Sequence, residues 1–223
     1  VATALLFGVV MLGIDRIGGR GGGPTLSAVP DLLRAFAATV VLFGACGYAP
    51  ARVLCPEGLR RWLPLLVLPV GAATSALALT LLGYLQVPLP ASLALVLVLG
   101  IAGAVVTRRG PAAPAPRARR MELALPAAIA LVVAALLLSP MVRHDSFATV
   151  LGQNGDAHLA TGAAELLKHA PPGAERPELP IDHMPPVWRS KYPIYYVLAA
   201  ASTLSGLNPV QTFGTVIAVV LAL

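Results

Sequence analysis

The sequence predicts an all-α fold, a polytopic bundle of transmembrane helices with an extracytoplasmic loop that contains a short interfacial helix. Three observations carry this. Apolar residues make up 57% of the 223-residue chain and the mean hydropathy is +0.79. Charged residues make up only 12%, where a soluble domain of this size holds about 25%. Those charges fall in gaps between long apolar blocks, as they do in integral membrane proteins. One gap is different in kind: Arg143 to Tyr196 is polar and holds most of the chemically capable side chains.

A helix needs roughly 20 apolar residues to cross the hydrocarbon core. Val1–Ile14 is an incomplete first span. Leu32–Tyr48, Trp62–Leu85, Leu89–Val106 and Leu123–Val142 follow as four spans. Pro193–Leu207 is shorter and more polar, and Val210–Leu223 opens another span. The blocks are rich in Ala, Gly, Leu and Val, which suits closely packed membrane helices. Pro64 and Pro69 are tolerable in such a setting. Only Gln86–Pro90 separates the third span from the fourth, so these two form a tight antiparallel pair. No basic stretch precedes the first block, so no cleavable signal peptide is expected. The short last block is expected to belong to a longer chain.

Arginines set the expected orientation. Ala49–Arg61 carries Arg52, Arg60 and Arg61, and Thr107–Met121 carries Arg108, Arg109, Arg117, Arg119 and Arg120. Two spans separate these loops, so the positive-inside rule places both in the cytoplasm without conflict. It then places loop 143–191 outside the membrane. The net charge of +6 is explained by this bias, and no basic patch interleaved with aromatics points to nucleic acid. The run Gly18–Gly23 follows no strand and lacks a Lys-Ser/Thr ending, so it reads as a flexible linker and not a phosphate loop. Pro111–Pro116 is a Pro/Ala linker. The expected organisation is a four-span module over residues 1–106, a cytoplasmic linker over 107–120, and a second module over 121–223. Cys46 lies in a span and Cys55 in a cytoplasmic loop, so neither a disulfide nor a zinc site is expected.

Within the polar interval, Asn154-Gly155-Asp156 is a turn signal, and Asp156 suits a helix cap. Leu159, Ala160, Ala163, Leu166 and Leu167 recur at helical spacing through His169, predicting a short amphipathic helix at the membrane interface. Pro171-Pro172 ends it. Trp188, Arg189, Lys191, Tyr192, Tyr195 and Tyr196 then return the chain to the membrane surface, a depth that Trp and Tyr favour.

The order of these features resembles the first extracytoplasmic loop of the GT-C glycosyltransferases. The resemblance rests on Asp156-Ala157-His158, Gly162 to His169, Pro171-Pro172, Lys191-Tyr192-Pro193-Ile194-Tyr195-Tyr196, and Leu204-Ser205-Gly206-Leu207-Asn208-Pro209. It covers residues 122–223. Where many members carry a second acidic residue and Lys-Pro-Pro, this chain has Ala157 and Lys191-Tyr192-Pro193. The resemblance implies a membrane enzyme that moves a sugar from a polyprenyl-phosphate donor to a glycan, lipid or protein acceptor. It implies the outer side of a prokaryotic cytoplasmic membrane as the place. Asp156 would be the catalytic base, since a carboxylate within reach of a sugar hydroxyl can take its proton. Arg189 and Lys191 would hold the leaving phosphate. His158, Tyr192, Tyr195 and Tyr196 would line the substrate.

Plainer readings stand beside these. Asp156 also fits a simple helix cap, Asp145 a solvated carboxylate, Lys168 and His169 partners of a helix C-terminus, and the tyrosines interfacial anchors. His144, His158, Asp182 and His183 have side chains that suit a divalent metal, but their spacing defines no ligand set. As whole-protein alternatives, a transporter or flippase would require ionisable or interrupted segments near mid-membrane. A non-catalytic scaffold of cell-envelope assembly would use the loop for docking.

Overall fold

The computed structural model describes residues 28–109, 120–144, 155–172 and 191–223. The run Gly18–Gly23, the linker Pro111–Pro116, Asp145, Asp182, His183, Trp188 and Arg189 lie outside them. Among the described residues the chain forms seven α-helices and one 3-10 helix, with no strand. The all-α bundle is therefore the fold.

Helix α1 spans Val29–Leu54, longer at both ends than its apolar block. Pro30 sits in its first turn, where a missing N–H costs nothing, and Asp31 there and Arg52 in the last turn complement the helix dipole. Cys55, ahead of Pro56, is extended and ends it. The 3-10 helix Glu57–Trp62 carries Arg60 and Arg61 and leads into α2, Leu63–Tyr84. A tight turn with Gln86 at φ 62° joins α2 to α3, Leu89–Arg109. Helix α4 is Arg120–His144. With the 3-10 turn counted into α2, these four are long and apolar enough to cross a membrane.

Small residues set how the first three helices meet. A Cβ on Gly47 would run into the backbone of Val67 and Gly71, and one on Gly71 into the backbone of Phe43. Close by, the Thr74 hydroxyl donates to the Cys46 carbonyl at 2.9 Å. Helices α1 and α2 are thus antiparallel and in backbone contact. A Cβ on Gly100 would stand 2.6 Å from the Ala45 carbonyl, and one on Gly103 3.1 Å from the Ala49 side chain. Both numbers rise together, so α1 and α3 run parallel. Arg52, Arg60, Arg61, Arg108 and Arg109 consequently share one end of the bundle. Outward faces such as Leu77 and Leu81 on α2, and Val98, Leu99, Ile101 and Val106 on α3, are exposed and apolar, as lipid contact requires.

The opposite end carries the polar interval. Helix α5 is Gly155–His169, α6 is Tyr192–Ser205 and α7 is Pro209–Ala222. Helix α6 begins against Gly83 and Tyr84 at the end of α2. It finishes where Arg34, in the second turn of α1, donates to the Ser205 carbonyl at 2.8 Å. Both ends of α6 therefore touch the same end of the bundle. At 14 residues, about 21 Å, it lies across that end. The chain then bends by 115° at Gly206–Asn208, and α7 runs alongside α1 and α4. Gly206 supplies the left-handed conformation that this turn needs (φ 67°). Asn208 and Gln211 form a reciprocal capping box that starts α7.

The glycine contact is directly testable. Gly71→Ala places a methyl group against the Phe43 backbone and should cost about 1–3 kcal/mol, lowering the melting temperature in detergent by several degrees. Gly44→Ala meets nothing within 4 Å and should leave it unchanged or raise it. Equal melting temperatures for the two variants would disprove the close approach of α1 and α2.

Candidate functional site

Asp156 lies within the first turn of α5, since Gly155 is already helical. It is thus inside the helix and not its preceding cap. The N-terminal end of a helix favours negative charge there. Lys191 directly precedes α6, whose first turn contains Pro193. The two side chains form an ion pair, Lys191 Nζ to Asp156 Oδ2, at 3.8 Å, with Asp156 63% and Lys191 39% exposed. Tyr195 lies close enough to feel the Asp156 charge. His158 is exposed on α5, but residues two apart on a helix do not share a face, so it diverges from Asp156.

The three tyrosines are buried, at 3%, 2% and 1% exposure for Tyr192, Tyr195 and Tyr196. Their rings touch protein and are not spread along an outer surface. Tyr192 packs edge-on against Tyr84 at 6.0 Å and against Tyr195 at 6.4 Å between ring centroids. Tyr196 fills the space above Gly83, where even a Cβ would collide with its hydroxyl. That hydroxyl has no hydrogen-bond partner among the described residues. Tyr192 and Tyr195 thus pack inside the protein at the start of α6, and Tyr196 wedges α6 onto α2.

Several polar residues outside the sequence-derived set hold this arrangement. Lys168 Nζ donates to Glu165 Oε2 at 3.0 Å and reaches Ser202 Oγ on α6 at 3.4 Å. Ser202 Oγ in turn donates to the Leu207 carbonyl at 2.6 Å. Helices α5 and α6 are therefore parallel and pinned twice, at 156–191 and at 168–202. Asp31 accepts from Gln211 Nε2 at 3.2 Å and pairs with Arg34 at 3.7 Å, tying the turn after α6 to α1. Gln86 Nε2 donates to the Pro172 carbonyl, fixing the end of α5 to the α2–α3 turn. The spacings Glu165-x-x-Lys168 and Asp31-x-x-Arg34 are legible as helix pairs; their partners Ser202, Ser205 and Gln211 are not. The apolar face of α5, with Ala157, Ala160, Ala163, Ala164 and Leu167 buried, is occupied by α6 and α7 instead of resting on lipid.

Glu165 stands outside the spans. Burial alone would raise its carboxyl, but Lys168 and then His169, whose Nε2 lies 3.3 Å away, outweigh this and hold it below the usual carboxylate range. Among the described residues no three His, Cys, Asp or Glu side chains converge as a metal would require. Cys46 and Cys55 are buried free thiols. Comparison with protein families, curated proteins and solved structures finds no match to this chain.

Two outcomes follow. A carboxylate with a lowered folded-state pKa stabilises the fold above its unfolded pKa and loses that contribution as pH falls through the folded value. Melting temperature should therefore drop between about pH 5 and pH 3, and Glu165→Gln should flatten that part of the drop. An unchanged acid limb in the variant would remove Glu165 from the clamp. Tyr196→Phe deletes a buried hydroxyl without a partner, so melting temperature should hold or rise. A clear fall would show that the hydroxyl is bonded.

Proposed function

We propose that this protein is a membrane glycosyltransferase that moves a sugar from a polyprenyl-phosphate donor to an extracytoplasmic acceptor, a glycan, lipid or protein. The observation that supports this most is the Asp156–Lys191 pair, at the end of the bundle away from Arg52, Arg60, Arg61, Arg108 and Arg109. A lipid-linked sugar presents its reacting carbon just outside the hydrocarbon layer, where a site at this end of the bundle would meet it. The positive-inside rule assigns the arginine end to the cytoplasm and so the site to the outer side of a prokaryotic-type cytoplasmic membrane.

In this reading Asp156 Oδ2 takes the proton of the acceptor hydroxyl as its oxygen bonds the anomeric carbon. The bond from that carbon to the phosphate oxygen breaks, and its electrons leave with the polyprenyl phosphate. Lys191, with Arg189 from outside the described residues, would compensate the departing charge. Tyr192 and Tyr195, buried at 3% and 2% exposure, would act by holding the start of α6 and not by stacking on the sugar. His158, facing away from Asp156, would meet substrate on the outer side of α5.

Purified full-length protein in proteoliposomes, given a polyprenyl-phosphate-linked sugar, tests the assignment. Asp156→Asn should lower transfer at least about 100-fold while leaving insertion unchanged and lowering the melting temperature only slightly, as loss of an exposed pair does. Near wild-type transfer by this variant would refute the base. The 115° break between α6 and α7 favours a second reading, because transporters build their sites at interrupted helices. Solute flux in the same vesicles without transfer would select it.

A further inference from the structure

We propose that the arginine end of the bundle binds an anionic phospholipid from the membrane leaflet on that side, with the lipid phosphate serving as counter-ion to arginines that have no carboxylate partner. Such binding does not depend on sugar transfer.

Helix packing brings the arginines to one level. Gly100 and Gly103 of α3 lie against Ala45 and Ala49 of α1. At that register Arg52 stands within about one turn of Arg108 and Arg109. Gly47 of α1 lies against Val67 and Gly71 of α2. Arg52 is therefore also level with the start of α2, which Arg60 and Arg61 shortly precede. The last turns of α4 cluster with Leu32 at the opposite end, so its first residues, Arg120 to Glu122, belong to this one. Among the described residues, six arginines thus share this end with two carboxylates, Glu57 and Glu122.

The two ends treat their cations differently. At the far end Arg34, Lys168 and Lys191 each have a carboxylate partner. Among the described residues Arg52, Arg60, Arg61, Arg108 and Arg109 have none. Arg52 donates to the Tyr48 hydroxyl at 3.2 Å, and Arg61 stacks over the Trp62 ring, 5.3 Å from its centroid. Each contact leaves further guanidinium N–H groups to donate. A phosphodiester accepts such groups side by side from the planar fork of arginine.

Apolar neighbours decide which carrier of phosphate fits. Val53 and Leu54 follow Arg52, Leu59 precedes Arg60, and Val105 and Val106 stand just ahead of Arg108; all five are exposed. Leu99 and Ile101 continue the exposed apolar surface along α3. Trp62 suits the interface between head groups and chains. A free anion gains nothing from these surfaces. A phospholipid places its phosphate among the arginines and its acyl chains along the apolar residues beside them. Basic clusters at a membrane surface attract anionic lipids in this way.

Trp62 gives the site a local reporter. The full-length protein, with Trp62 kept and every other tryptophan replaced by Phe, is placed in phosphatidylcholine bilayers. Quenching of Trp62 fluorescence is then compared for brominated phosphatidylglycerol and brominated phosphatidylcholine with the same chains. The anionic lipid should bind at least about fivefold more strongly, the gain expected from a single arginine at a membrane surface. Arg60→Gln with Arg61→Gln, and Arg108→Gln with Arg109→Gln, should each reduce that preference. The matching lysine pairs should keep it, which excludes misfolding as the cause. Added salt should weaken it in the protein with all its arginines. Equal quenching by the two lipids would overturn the proposal. A preference that survives all four glutamine substitutions together would overturn it too, since the lipid would then be held by other groups. Relief of quenching by millimolar inorganic phosphate at constant ionic strength would mark a site for the free anion and likewise overturn it.

Discussion

The backbone contact of α1 with α2 at Gly47 and Gly71 sets the geometry on which the rest of the structure depends. Without side chains between them, the two helices pack at a fixed height as well as a fixed distance, a height recorded by the Thr74–Cys46 hydrogen bond. About ten residues up α2 and about twelve back along α1, at about 1.5 Å each, Tyr84 and Arg34 arrive at nearly the same level. These are the two supports of α6. The first receives Tyr192 and Tyr196; the second receives the Ser205 carbonyl. A slip of one turn between α1 and α2 would tilt α6 and pull Lys191 away from Asp156.

Hydrogen-bond accounting explains why polar side chains gather where α6 ends. A helix that stops near a hydrocarbon layer leaves carbonyls that water does not reliably satisfy. The left-handed turn at Gly206 recovers the Ser202 and Thr203 carbonyls through the Gly206 and Leu207 N–H groups. Arg34 takes that of Ser205, and Ser202 Oγ takes that of Leu207. Lys168 adds its contact to Ser202 from α5. The sharp bend is thus offset locally, and α7 leaves at 115° with the carbonyls of Ser202, Thr203, Ser205 and Leu207 satisfied. Tyr196 and Thr215 are the described residues whose buried hydroxyls have no partner. They lie on α6 and α7 respectively.

Charge placement divides the molecule into two unlike ends. One holds Arg52, Arg60, Arg61, Arg108 and Arg109. The other holds Asp31, Arg34, Asp156, Glu165, Lys168 and Lys191, in pairs of opposite sign. Pairing matters there because a lone charge beside lipid is costly. The Asp156–Lys191 pair differs from the other two in joining separate helices. It draws its geometry from the fold and not from helical spacing. The Glu165–Lys168 and Asp31–Arg34 pairs lie within single helices.

The sequence alone determined the four long apolar helices α1 to α4, because a run of about 20 apolar residues has no stable alternative to a helix in hydrocarbon; the expected first span, Val1–Ile14, lies outside the described residues. It located α1 to α4 within a few residues and α5 with its proline stop. It singled out Asp156 and Lys191 as polar groups at helix starts, though it placed Asp156 ahead of α5 instead of in its first turn. Periodicity could not say that the apolar face of α5 meets α6, since a helix face fits protein or lipid equally well. Composition drew Pro193–Leu207 as a short apolar block, but its course across the bundle end depends on Gly83 and Arg34, which lie more than 100 residues earlier. The meeting of Asp156 with Lys191, of Lys168 with Ser202 and of Tyr196 with Gly83 was decided by tertiary structure. Each joins residues from different helices, and the distance between helices is set by side-chain volume at contacts that no local pattern encodes.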